Sequence, residues 1–158
     1  MICLVDTSAI YAVLDADDRN HTLASEEWRQ ILADDTVLIV TNYILVESLA
    51  LIQRRLGAAA ARMFQDDVVP MLKVEWVGED IHAAGISAML GAQRRDLSLV
   101  DCVSFEVMRR MGLRSVFAFD AHFSDQGFLL RPAPKRSGKV VAESRAAYRV
   151  GARKPRKR

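Results

Sequence analysis

What this chain lacks narrows its possible chemistry. It has only two cysteines, Cys3 and Cys102, each among apolar neighbours. They read as small buried hydrophobes, which fits a reducing, cytoplasmic compartment. Its three histidines, His21, His82 and His122, are scattered, and there is no Cys-x-x-Cys. Nothing therefore has the ligand spacing of a zinc site. Gly-x-x-x-x-Gly-Lys and Gly-x-Gly-x-x-Gly are absent, which excludes the common phosphate-cradling loops. A Gly-x-Ser-x-Gly elbow is also missing, which argues against a serine hydrolase. No apolar run approaches the length of a membrane span, and no basic region precedes an apolar stretch as in a secretory signal.

What is present suggests one domain. A chain of 158 residues with 51% hydrophobic content can bury a core without disulfide staples. The net charge of +2 conceals an asymmetry. From Lys135 to Arg158 there are ten Lys or Arg and one acid, giving +9, so the remainder carries 12 − 19 = −7. The basic stretch has few large apolar groups, and a disordered tail over 133–158 is expected, after a folded domain over 1–132. Its end, Arg153-Lys154-Pro155-Arg156-Lys157-Arg158, has the charge to meet phosphates. A solubilising tail, or an arm folding back on the acidic body, is the plainer reading.

Strand-like and helix-like stretches alternate. Ile2-Cys3-Leu4-Val5, Val37-Leu38-Ile39-Val40, Leu72 to Val77, Ser115 to Phe119 and Gly127 to Leu130 read as strands, most of them short apolar runs. Between them, helices are expected over Ala9–Leu14, His21–Ala33, Tyr43–Leu56, Ala58–Val69, Glu79–Gly91 and Val100–Met111. Parallel strands need crossovers, and those crossovers cover the sheet. The expected fold class is thus α/β, a sandwich of helices around a central parallel sheet.

The carboxylates then fall into a pattern. Asp6 ends the first strand and Asp120 ends the fourth, so both lie at the edge where open α/β sheets bind ligands. Glu47 lies in the first turns of the helix after strand two. Asp101 lies in the first turn of the helix before strand four. Asp125 is a fifth, weaker candidate. Each has a plain alternative. Asp6 or Ser8 can cap a helix. Asp120 can begin a turn. Ser98 and Asp101 have capping-box spacing. Glu47 can be exposed or ion-paired, although Leu45, Leu49, Ile52 and Leu56 share one face and the opposite face is also largely apolar. Several carboxylates at one edge repel each other and raise each other's pKa. A hard divalent cation such as Mg²⁺ or Mn²⁺, which prefers oxygen ligands, relieves that repulsion.

Four segments carry a resemblance: Val5-Asp6-Thr7-Ser8; Thr41-Asn42 followed by Glu47; Leu97-Ser98-Leu99-Val100-Asp101 leading into Ser104-Phe105; and Phe117-Ala118-Phe119-Asp120-Ala121-His122-Phe123 with Gly127-Phe128. From Met1 to about Pro132 the chain resembles the PIN-domain ribonucleases, and among them the VapC toxins of type II toxin–antitoxin systems. The resemblance implies an α/β/α sandwich, Mg²⁺ or Mn²⁺ held by acids, and endonucleolytic cleavage of RNA. It also implies a cognate antitoxin and a homodimer. By position, Asp6, Glu47, Asp101 and Asp120 match the family's acidic quartet, with Asp6 and Asp101 at the positions most directly tied to the metal. Thr7, Ser8 and Ser98 match hydroxyl-bearing positions near the site. Arg94 and Arg95 are candidates for gripping the RNA backbone. Ala121 departs from the Arg or Lys common in similar proteins, and the basic stretch has no counterpart in the compact domain. Two rival readings stand beside this one. The first is a non-catalytic RNA-binding or scaffold protein with the same fold. The second is another metal-dependent phosphohydrolase, but an aspartyl-phosphate enzyme needs a second Asp where this chain has Ser8.

Overall fold

A computed structural model describes residues 1–133. The basic stretch after residue 133 lies outside the described residues. The strands are β1 (Ile2–Val5), β2 (Val37–Thr41), β3 (Leu72–Glu75), β4 (Ser115–Phe117) and β5 (Leu129–Arg131). The helices are α1 (Thr7–Leu14), α2 (His21–Ala33), α3 (Asn42–Leu56), α4 (Ala58–Met63), α5 (Glu79–Ala92), α6 (Leu99–Met111) and α7 (His122–Asp125). The strands form one parallel sheet in the order β3-β2-β1-β4-β5. With right-handed crossovers, the helices before β3 cover one face and those after it cover the other. This is the expected sandwich. Apolar residues face both layers: Leu4, Val5, Val40, Val116 and Phe117 are fully buried. No helix among the described residues is long and apolar enough to cross a membrane.

Several boundaries differ from expectation, each for a local reason. The helix expected over Ala58–Val69 stops at Met63 and continues as a π turn over Phe64–Val68, then a 3₁₀ turn over Val69–Met71. Pro70 has no N–H to give, so the helix cannot close normally against it. β4 ends at Phe117 rather than Phe119, because the Phe119 N–H donates to the Ser8 hydroxyl at 3.0 Å instead of to a strand. The short helix α7 was not anticipated. A cluster of Phe105, Phe123 and Phe128 holds it, with Phe105 and Phe123 edge to face at 5.1 Å. On α3 Ile44, Ser48 and Ile52 are buried; of the expected face Ile52 is buried, Leu45 and Leu56 pack partly against the core, Leu49 is exposed, and Val46 is 71% exposed. That helix is therefore not buried all round. Ser48 can occupy the packed face because its hydroxyl donates to Thr7 Oγ1 at 3.2 Å.

α5 and α6 pack closely because Gly85 of α5 is buried where a side chain would meet α6. A Cβ there would lie 2.6 Å from Val103 Cγ2. Val103 is β-branched and stiff, so it cannot simply rotate away. Gly85→Ala gains about 1 kcal/mol of helix propensity but incurs overpacking of about 1–3 kcal/mol. A net loss near 1 kcal/mol is expected, read as a lower midpoint in urea. Val103→Ala in the same chain should remove the overpacking. A Gly85→Ala variant as stable as wild type would mean the two helices shift apart freely.

Candidate active site

Asp6 stands at the centre of the sheet's carboxyl edge, where strand order turns from β2 to β4 on either side of β1. This is the switch point at which parallel sheets open a crevice. Asp6 caps α1. Its Oδ2 accepts from the Ser8 backbone N at 3.0 Å and from the Ser8 hydroxyl at 2.5 Å. Ser8 therefore links the ends of β1 and β4 through one oxygen. The Asp6 carboxylate is 5% exposed. Burial pushes its pKa from 3.8 up to about 6, the Ser8 hydrogen bonds oppose that rise, and the charges of Asp101 and Glu47 add to it.

The other acids approach from three elements. Glu47 projects from α3, and Thr7 Oγ1 donates to its Oε2 at 2.6 Å. Thr7 thereby sits in a chain from Ser48 to Glu47. Asp101 closes a capping box at the start of α6: its Oδ2 accepts from Ser98 N at 2.8 Å and from the Ser98 hydroxyl at 2.7 Å. The plain reading of that spacing is thus correct. It leaves Asp101 Oδ1 without a hydrogen bond among the described residues. Asp120 follows β4, and its Oδ1 accepts from His122 N at 2.8 Å. As the side chains stand, no three His, Cys, Asp or Glu among the described residues are close enough together to hold one metal ion.

Other expected participants fall outside this crevice. Asp125 lies on α7, half-exposed and 3.9 Å from Arg94. Arg94 is bound to Asp96 at 2.9 Å, so its charge is already partnered; Arg95 is exposed and has no partner among the described residues. Sequence reasoning missed what surrounds Asp120. Asp96 accepts from Arg94 and lies 3.1 Å from His122 Nε2, which holds the Asp96 carboxyl well below its usual range and raises His122. His122 Nδ1 lies 3.1 Å from Asp120 Oδ1 but outside hydrogen-bond direction. Of the Thr41-Asn42 pair in the sequence pattern, Thr41 caps α3, while the Asn42 side chain accepts from Val77 N at 2.9 Å and fixes the start of α3 against the chain leaving β3.

Residues 3–129 match the family model of the PIN domain. The chain belongs to the PIN-domain family. Its curated relatives include the 23S rRNA-specific endonuclease VapC20 of Mycobacterium tuberculosis, 35% identical over 133 residues, with 81% of this chain and 97% of the relative covered. The crystal structure of that protein, described as a Sarcin-Ricin loop cleaving toxin, superposes with a TM-score of 0.72 at 32% identity, over 81% of this chain and 96% of the other. FitAcB from Neisseria gonorrhoeae shares the fold at 16% identity, with a TM-score of 0.59 over 82% of this chain and 96% of the other. In this PIN domain the four acids of the sequence pattern come from β1, α3, α6 and the loop after β4, all at one sheet edge.

Proposed function

We propose that this protein is a divalent-metal-dependent endoribonuclease and the toxin of a toxin–antitoxin pair. The observation that carries the reading is Asp6: a carboxylate 5% exposed, at the switch point, with its pKa raised and two further acids acting on it. Capping α1 needs only one oxygen of this carboxylate, and a buried negative charge is costly until a cation meets it. The likeness to a 23S rRNA-specific endonuclease directs the reading to RNA.

Asp6 and Asp101 would hold Mg²⁺ or Mn²⁺, each through the carboxylate oxygen that carries no hydrogen bond. Glu47 and Asp120 would reach the ion's waters, since Mg²⁺ keeps several of them. When bound, the metal offsets charge on the phosphoryl and leaving oxygens and lowers the pKa of an attacking water. The chain's own contribution is orientation. Ser8 fixes Asp6, Ser98 fixes Asp101, and Thr7 fixes the Glu47 carboxylate. None of these hydroxyls is needed as a nucleophile. An antitoxin segment and a second copy of this chain are the proposed protein partners. Exposed Val46, Trp76 and Leu90 supply apolar surface for them.

Metal binding should stabilise the native state by mass action, by about 2.7 kcal/mol at a hundredfold excess over Kd. For a domain of this size that is a rise in Tm of several degrees, and Asp6→Asn should abolish it. Melts in Mg²⁺, in Mn²⁺ and in chelator test this, beside cleavage of total RNA. A wild-type melt indifferent to both ions would overturn the metal assignment. The basic stretch favours a second reading, a non-catalytic RNA binder. Metal-dependent cleavage that disappears in Asp6→Asn would dismiss it.

A further inference from the structure

Beside the acids is a hollow of about 440 Å³ that reaches Leu51, one turn along α3 from Glu47. Its lining includes Ser8 and Asp120 of the candidate active site, the aromatic Tyr11 and Phe119, and the polar Asp18, Arg19 and Asn20. Nothing in the account of cleavage uses the last five residues.

Three features shape this open hollow. First, the loop carrying Arg19 and Asn20 is held in place by side chains. Asp15 accepts from Asp17 N at 3.0 Å, Asp18 accepts from Asn20 N at 2.7 Å, and His21 Nδ1 lies 2.9 Å from Ala12 O. Second, the Arg19 guanidinium and the Asn20 amide have no hydrogen-bond partner among the described residues. Third, Ala121 contributes only a methyl at the rim, so the mouth beside Asp120 stays open.

Two aromatic rings, a guanidinium and an amide around one hollow are equipment for a nucleobase. Unpaired RNA bases are read by stacking on aromatic side chains and by hydrogen bonds to their edges. Arg donates to the O6 and N7 acceptors of guanine, and Asn pairs with the N6 and N7 of adenine, so this pair suits a purine edge. We propose that the hollow is a specificity subsite for the unpaired purine that flanks the scissile phosphate. This rests on the nuclease reading, because Ser8 and Asp120 set the base next to the acids. In this role Tyr11, Arg19 and Asn20 select the cleavage position, while the acids carry the chemistry.

The test uses the full chain with Mg²⁺ or Mn²⁺ on a single-stranded RNA of randomised sequence, with the cut ends sequenced. Wild type should favour a purine at one fixed position beside the cut by about five- to a hundredfold. Arg19→Ala and Asn20→Ala should flatten that preference. Tyr11→Ala should flatten it and raise KM, whereas Tyr11→Phe, which keeps the ring, should retain it. No preference in wild type, or an undiminished one in the Arg19, Asn20 and Tyr11 alanine variants, would overturn the subsite. If wild type cuts no RNA, the nuclease reading falls and the hollow is tested separately by titration with AMP and UMP, followed by amide NMR. Shifts at Tyr11, Asn20 and Ala121 that are larger for AMP would sustain a purine site; their absence would overturn it.

Discussion

Asp6→Asn is expected to stop RNA cleavage and, in the same protein, to raise the stability of the metal-free fold. The loss follows from removing one charge from the metal's ligand set, which should lower turnover by orders of magnitude. RNA binding should persist or tighten, because repulsion of the phosphates is reduced. The gain in stability follows from burial. The folded-state pKa of Asp6 is about 6 against 3.8 for the free group. Between those values the native state holds a proton that the unfolded chain has released, so stability falls as pH rises through the window. Above about pH 6 the penalty is constant, on the order of 3 kcal/mol for a shift of about two units. Asn cannot ionise, yet its oxygen can still accept both Ser8 bonds. The variant's advantage should therefore be full at pH 7, shrink below pH 6 and vanish below about pH 4. Chemical denaturation in chelator across this range measures it, beside a gel-based cleavage assay. An Asp6→Asn protein that cuts as wild type does would remove Asp6 from the site. One that is less stable at every pH would mean that the buried charge is not strained.

The second large effect belongs to residues 135–158. The domain before them carries −7 and the stretch itself +9, so attraction for RNA should reside almost wholly in the stretch. Engaging roughly six phosphates of a single strand gives a slope near −4 in log affinity against log salt. Raising salt from about 50 to 200 mM would then weaken binding by roughly two orders of magnitude. Replacing the ten cations by Gln should cancel most of that affinity and flatten the salt dependence. Metal-dependent cleavage should remain detectable at high RNA concentration. A salt titration of both proteins on one labelled RNA reads this, with cleavage followed in parallel. Equal slopes would place the electrostatic contact on the domain instead.

The alternation of apolar runs with helical stretches made the sheet and its helices legible, because strands buried on both faces leave an unbroken apolar signature. The acids were legible for a related reason: each follows, or opens a helix beside, such a run. What escaped depends on contacts distant in sequence. Phe117-Ala118-Phe119 reads as continuous strand, yet its end is decided by Ser8. The packed face of α3 is decided by Ser48, whose hydroxyl is acceptable there only because Thr7 receives it. Asp101 was legible as a cap, and that role takes up only one of its two oxygens. Arg94 looked available, yet Asp96, only two residues on, partners it, and folding brings Asp125 to 3.9 Å.

The bond from Phe119 N to Ser8 spans 111 positions of sequence. β1 likewise has β4 as one of its two neighbours, and β4 is made last but one. During translation, then, the ribosome first releases Asp6 on a strand whose far side has no partner. Glu47 and Asp101 follow, but Asp120 and the amide that anchors Ser8 arrive only when nearly the whole domain has emerged. A partly synthesised chain carries most of the acids and no centre. The ordering of strands therefore delays the Ser8–Phe119 bond until nearly the whole domain has been made.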